Sequence, residues 1–363
     1  MKVTNVMKNL VIICGAGATL NESTAIKPID RPPLDRGFFA QASKKYPSEY
    51  QLVHDYLTDN YATDPSSTEF DSLEQMMSIL YSDLYNPATS GSEVAKAFRS
   101  LLTLINSRIA ETTNTITPNS NTTLHRIILD AIVNHDLKPD DITVITFNYD
   151  LVIEKTLARL EKLAAVKKHG ILLSFPDCYM LKDYGNSSSS AKSVSLFQRH
   201  RTPSKAVDVL KLHGSLNWYS KHTSREPSPN ALLNSNRKLW ITARRKIRLD
   251  MTTSRKRTMY TFPIVVPPVT NKAAILHQSL MPVWKRALEK LRAATNVVVF
   301  GYSCPTTDQE SANLMIRGLR NSSNLETLEI IDPSTSSFQR FADLTMADKI
   351  FYYNNAKAYA DSK

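Results

Sequence analysis

The stretch Leu10-Val-Ile-Ile-Cys-Gly-Ala-Gly-Ala-Thr-Leu-Asn21 constrains this chain more than any other. Leu10 to Cys14 is a continuous apolar run, which suits a strand buried on both faces and so an inner position in a parallel sheet. Gly15-Ala-Gly17 follows at once, with Thr19 two residues on. Glycine at these places lets the backbone turn sharply and lets a diphosphate approach main-chain N–H groups at a helix start. The third glycine of the full dinucleotide fingerprint is missing, so the motif alone equally describes an ordinary strand-to-helix turn.

At 363 residues the chain can build a full core as one large domain or two. With 42% apolar and 22% charged residues it has the make-up of a soluble globular protein, not of a disordered or fibrous one. No apolar run is long enough to cross a bilayer, and the N-terminal residues lead into a glycine turn, not a cleavage site. A cytoplasmic location without a membrane partner is expected. Cys14, Cys178 and Cys304 are isolated thiols with no C-x-x-C spacing. They form neither a disulfide framework nor a cysteine-ligated zinc site, and no metal is expected.

The formal net charge is +11, and Arg237 to Arg257 holds nine Lys/Arg against one Asp. Such a run is either a docking patch for an acidic partner or nucleic acid, or a solvated loop or pocket rim. No aromatic interleaving or nucleic-acid fold signature accompanies it, which leaves direct nucleic-acid binding open.

Along the chain, Lys27 to Phe39 carries three prolines in six residues and reads as an irregular loop. Its Leu34, Asp35, Arg36 and Phe38 suit a lid over an aromatic ring, while Phe39 reads as core. Helical apolar spacing marks Ser72–Tyr81 and Ser92–Ile109, so residues 41–123 form a helical insertion. A helix over Leu124–His135 returns to the sheet. Ile142 to Ile145 is the next strand, with Asn148 and Asp150 just beyond its carboxyl end, where open parallel sheets gather ligand groups. Asp150 could equally cap the helix predicted over Leu151–Val166. Val207 to Leu212 repeats the pattern and ends in His213-Gly214. A lone histidine is more often structural than catalytic, although its pKa near neutrality suits a base. Residues 221–260 are polar and basic without a period and read as an irregular insertion. Pro282 marks the regular start of an amphipathic helix within Leu276–Ala294. Asn296 to Phe300 is another buried strand ending in Gly301, Tyr302 and Ser303, and a helix follows from Asp308. Leu328 to Ile331 ends at Asp332, an acidic residue suited to ribose hydroxyls or to a turn before Pro333.

Gly15-Ala-Gly17, Thr146-Phe-Asn-Tyr-Asp150, His213-Gly214 and Gly301-Tyr-Ser303 resemble, in order, the signature blocks of the sirtuin-like superfamily. Val265-Val-Pro-Pro and Gly301-Tyr-Ser-Cys-Pro-Thr-Thr-Asp308 are more similar to its bacterial branch of NAD+-hydrolysing antiphage effectors than to the deacetylases. The resemblance implies an α/β fold: a Rossmann-like parallel sheet with helices on both faces, formed by 1–40 and 124–363 and interrupted by the helical insertion. NAD+ would be the substrate. Gly15, Ala16, Gly17 and Thr19 would hold the diphosphate, and Gly301, Tyr302 and Ser303 phosphate or ribose. Asp332 would hold the adenosine ribose and Asp150 the nicotinamide carboxamide. Asn148 and His213 would be catalytic, one orienting the nucleophile on the nicotinamide ribose and the other acting as base. The family also implies a homo-oligomer and a defence partner such as a HerA-type ATPase or a short Argonaute. Two departures from the deacetylases stand out. The four-cysteine zinc module is absent, and Pro33-Leu-Asp-Arg36 only loosely matches the Pro-Asp-Phe-Arg element. Both disfavour a protein deacylase; the other alternative is a non-enzymatic NAD+ or ADP-ribose sensor.

Overall fold

The computed structural model describes residues 7–33, 37–65, 72–174, 177–179, 182–183, 191–195, 205–222, 239–242, 252–254, 257–269, 280–305 and 308–363. Its centre is a six-stranded parallel sheet built from β1 (Leu10–Cys14), β2 (Ile142–Thr146), β5 (Asp208–Lys211), β10 (Asn296–Phe300), β11 (Thr327–Ile331) and β12 (Lys349–Tyr353). The strands lie in the order β12-β11-β10-β1-β2-β5, and every neighbouring pair is parallel. β1 is buried at every position, as its unbroken apolar run demands. The chain leaves β1 toward β2 and β5, then crosses back to β10 on the other side. This is the doubly wound arrangement of a Rossmann-like fold, with its topological switch point between β1 and β10.

Helices run between the strands. α1 (Ala16–Glu22) starts directly from the glycine turn. The insertion between β1 and β2 is helical, as its apolar spacing predicts: α2 (Phe38–Lys45), α3 (Pro47–Tyr61), α4 (Leu73–Tyr85) and α5 (Ser92–Asn114), with Ser72 capping α4 through Gln75 N–H. α3 and α4 both pack on α5. Arg108 on α5 is fully buried and donates to Gln41 Oε1 on α2, at 3.2 Å from Nε and 2.6 Å from Nη2. A buried guanidinium needs such acceptors, and this one ties the first helix of the insertion to the last.

α6 (Thr123–Val133) leads back to β2. The single helix expected over Leu151–Val166 is broken into α7 (Val152–Leu160) and α8 (Ala164–Lys167). Leu163 is extended between them, and Glu161 accepts the Leu173 N–H at 2.8 Å. The remaining helices are α9 (Met281–Ala293), with Pro282 in its first turn, α10 (Gln309–Met315), α11 (Thr335–Asp343) and α12 (Ala356–Ser362).

A second sheet was not foreseen. β3 (Lys182–Asp183), β4 (Ala191–Ser195), β7 (Leu239–Thr242), β6 (Gly214–His222), β9 (Arg257–Val265) and β8 (Thr252–Ser254) pair antiparallel in that order. The expectation that 221–260 is irregular therefore fails where those residues are described. β9 takes its strand character from a run of Thr, Tyr, Phe, Ile and Val, which fit a pleated surface better than a helix. Most of the basic run from Arg237 to Arg257 lies outside the described residues, as do Leu34, Asp35 and Arg36 of the expected lid. Phe38 and Phe39 both belong to the core. Among the described residues no helix is long and apolar enough to cross a membrane.

The turns after β1 and β10 touch backbone to backbone. Gly15 N–H donates to Phe300 O at 3.3 Å and Gly17 N–H to Gly301 O at 3.0 Å. Gly301 has φ +57°, and a Cβ there would lie 2.1 Å from the Ala18 nitrogen. Gly301→Ala should therefore lower the unfolding free energy by about 1–3 kcal/mol, the usual cost of a strained backbone position. Urea denaturation measures it, and a midpoint equal to wild type would contradict this packing.

Candidate functional site

The loops beyond the carboxyl ends of β1, β2, β5, β10 and β11 enclose a cavity of about 780 Å³. That lies within the range of small-molecule and cofactor sites, and it sits at the switch point where such folds hold ligands. All eleven residues singled out in the sequence line it: Gly15, Ala16, Gly17 and Thr19 from the first turn, Asn148 and Asp150 after β2, His213 after β5, Gly301, Tyr302 and Ser303 after β10, and Asp332 after β11. Segments as far apart as 15 and 332 meet because each is the end of a parallel strand in one sheet.

Three of these side chains form a chain of hydrogen bonds. Asn148 Nδ2 donates to Gly15 O at 2.7 Å and to Thr19 Oγ1 at 2.8 Å. Thr19 Oγ1 donates to Asp150 Oδ2 at 2.7 Å. The Gly15 carbonyl can only accept, so the Asn148 nitrogen must face it and Oδ1 is left as an acceptor. Asp150 Oδ1 accepts Val152 N–H at 2.9 Å, so the capping role foreseen as one possibility is present alongside its place in the cavity. Asp332 likewise serves the turn before α11, its Oδ1 accepting Ser334 N–H at 2.9 Å and Ser337 Oγ–H at 3.1 Å.

His213 is set by its backbone and its neighbours. Its carbonyl accepts Val266 N–H at 2.7 Å, and Gly214 beyond it has φ +84°, where a Cβ would meet the Ile264 carbonyl oxygen at 2.2 Å. Its ring lies edge-on to Phe147 at 5.2 Å and tilted to Trp284 at 6.2 Å. Trp284 is held in turn by its indole N–H, which donates to Leu212 O at 2.9 Å. Phe147 stacks on Tyr302 at 4.1 Å. His213 Nε2 stands 3.7 Å from Asp308 Oδ2, and both residues are buried.

Burial also decides which groups can ionise here. Tyr302 is held well above the usual phenol range by burial first, with the Asp308 carboxylate adding to the effect. Tyr149 is raised by burial, then by Asp308 and Glu74. Burial pushes the Cys304 thiol up to about 11, and Cys14 higher still, with Glu22 and Asp150 adding to the effect. The tyrosines stay neutral, and neither thiol forms the thiolate that a covalent nucleophile needs. The described residues hold no group of three or more His, Cys, Asp or Glu side chains placed for a metal ion.

Three contributors went unread in the sequence. Lys211 on β5 is fully buried, donates to the Asp150 carbonyl and pairs with Glu154 Oε1 at 3.3 Å. A lysine inside an apolar strand must be paired, and that was its signal. Asp308 stood in the sequence at the end of the Gly301–Asp308 block and at the start of a helix, with no role read for its side chain. The helical insertion lines the cavity as well, through Leu73, Glu74, Ile105 and Ile109, although nothing in its own sequence separates a cavity wall from core.

No protein-family model and no curated protein matches the chain. Solved structures similar to it include a Sir2 homologue mutant in complex with ADP-ribose, at TM-score 0.41 and 13% identity, covering 98% of this chain and 89% of that one. Sir2 with a p53 peptide and NAD+ matches at TM-score 0.41 and 12% identity, covering 99% and 92% respectively. Sir2 bound to an acetylated peptide matches at TM-score 0.40 and 10% identity, with the same coverage. The Rossmann-like fold itself is read from the strand order of the parallel sheet.

α1, which carries Thr19, ends in Glu22, a buried carboxyl that accepts Leu124 N–H at 3.0 Å. Burial raises its pKa from 4.5 to about 7, against the lowering effect of its hydrogen bonds at the start of α6. The folded chain thus binds this proton more tightly than the unfolded one. The stability that goes with it is whole below about pH 4.5 and is lost as pH rises through about 7. Glu22→Gln keeps the acceptor and removes the charge. At pH 8 it should be more stable than wild type by about 1–3 kcal/mol and at pH 4.5 nearly equal to it. Denaturant titrations at the two pH values test this; an equal difference at both would refute it.

Proposed function

We propose that the chain is an NAD+ glycohydrolase that uses water to cleave the nicotinamide–ribose bond, releasing nicotinamide and ADP-ribose. The observation that carries this is the meeting of Asn148 and His213 in one cavity with the two glycine turns of the switch point. A bound dinucleotide would run from Asp332 and Gly301-Tyr302-Ser303 at its adenosine side, past the first glycine turn, to Asn148, Asp150 and His213. Gly15 and Gly17 spend their N–H groups on carbonyls, so the diphosphate would be held by Ala16 N–H, the Thr19 side and Ser303.

Nicotinamide leaves as a neutral base from a cationic ring, and the ribose passes through an oxocarbenium-like state. The protein has to hold the ribose, bind the leaving carboxamide and admit one water to the anomeric carbon. Positioning and a placed base supply most of the acceleration. Asn148 Oδ1 is an uncharged acceptor for the ribose or the water. Asp150 accepts from the carboxamide while its bonds to Thr19 and Val152 keep it fixed. His213 takes the proton. In the setting that the resemblance implies, the enzyme is an antiphage effector that depletes NAD+, acting as a homo-oligomer with a partner such as a HerA-type ATPase or a short Argonaute.

The test is to incubate purified protein with NAD+ and quantify nicotinamide, ADP-ribose and its cyclic isomer by mass spectrometry. Asn148→Ala and His213→Ala should each reduce turnover by at least about 100-fold with the fold retained. Near-normal turnover in either variant removes that residue from the mechanism. NAD+ binding without turnover in the wild type would favour the sensor alternative.

A further inference from the structure

His213 and Asp308 come from opposite sides of the switch point. His213 follows β5 on one flank of the sheet, and Asp308 opens α10 after β10 on the other. Their side chains nevertheless face each other at 3.7 Å, and both line the cavity. Asp308 has two oxygens with separate tasks. Oδ1 accepts Ser311 N–H at 3.2 Å and caps α10, while Oδ2 is the oxygen turned toward the imidazole. The separation is too long for a direct hydrogen bond and within ion-pair range; catalytic contacts of this kind tighten when substrate closes the site.

We propose that Asp308 is a positioning residue for His213, its carboxylate orienting the imidazole and offsetting the positive charge that the ring gains as base. This rests on the hydrolase reading only for its catalytic consequence; the pair itself rests on geometry. In the reaction, a water oxygen bonds to the anomeric carbon as the carbon–nitrogen bond breaks, and that electron pair leaves on the nicotinamide nitrogen. The water proton goes to the imidazole lone pair and later to solvent. Asp308 stays ionised throughout and offsets the imidazolium.

The other groups around the ring do not take this place. Tyr149 and Tyr302 stay protonated, burial being the first cause for both. The Cys304 thiol is pushed up to about 11 by burial. Both Asp150 oxygens carry hydrogen bonds, and Lys211 is turned to Glu154 and the Asp150 carbonyl. Glu74 lines the cavity from α4 and acts on Tyr149. Asp308 is the carboxylate within ion-pair range of the ring among the described residues.

The discriminating variant is Asp308→Asn, because asparagine caps a helix as well as aspartate does and only the charge is lost. His213 is followed by imidazole NMR across pH in wild type and D308N, with His213→Gln identifying its signal among the eight histidines. The His213 titration midpoint should fall in D308N, since the anion that favours the protonated ring is gone. An unchanged midpoint in a folded D308N overturns the proposal. Turnover is read alongside. D308N should lower kcat by about 10- to 100-fold with KM for NAD+ within about twofold, and the acid limb of kcat should shift to lower pH. A shifted midpoint in a wild-type protein that does not cleave NAD+ would keep the pair and overturn the hydrolase reading instead. A shifted midpoint with unchanged kcat in an active enzyme would overturn the positioning role.

Discussion

The close contact between the turns after β1 and β10 is the constraint on which the rest of the molecule depends. Gly17 N–H reaches Gly301 O at 3.0 Å, and there is room for no side chain on either backbone. This contact brings the two central strand ends together at the switch point, and the cavity opens beside it. A Cβ on Gly15 or Gly17 would run into the Gly301–Tyr302 backbone at under 3.0 Å. The glycines of the first turn therefore serve the fold before they serve any ligand, because two of their N–H groups are already taken by carbonyls.

The loop that carries Asn148 and Asp150 is held in a different way. Phe147 N–H donates to Cys14 O at 3.2 Å, Leu212 N–H to Thr146 O at 3.0 Å, and Leu216 N–H to Tyr149 O at 2.9 Å. Beneath it lies a buried polar network. Lys211 pairs with Glu154, Tyr179 O–H donates to Glu154 at 2.6 Å, and Asn217 Nδ2 donates to that same Tyr179 oxygen at 3.0 Å. Charges and hydroxyls so deeply placed need partners, and Glu154 Oε1 serves both Lys211 and Tyr179. Here they join the loop to β6, so the antiparallel sheet helps hold the candidate site although it lies outside the Rossmann-like core.

Much of this was legible in the chain. The parallel strands announced themselves as apolar runs, and the residues worth watching stood just past their ends, where a main-chain direction alone places them at the sheet's ligand-bearing edge. The insertion showed its helices through apolar periodicity. What escaped was whatever depends on partners distant in sequence. The run 221–260 looked irregular because its polar and basic residues carry no period, and β9 becomes a strand by pairing with β6 and β8. The break after α7 was equally hidden, since Leu151 to Val166 has helical spacing throughout and Leu173, which takes up Glu161, lies beyond it.

By itself the sequence determined the α/β class, the strand ends and the identity of the residues at them, because burial on both faces and the glycine turn are local demands that each segment states alone. Tertiary structure decided how those residues are used. Asp150 is both a cap and a cavity wall, and Asp308, a helix start in the sequence, faces His213 across the switch point. The helices of the insertion form part of the cavity rather than an appendage. Such roles depend on distances between segments up to hundreds of residues apart, and only the closed sheet sets those distances.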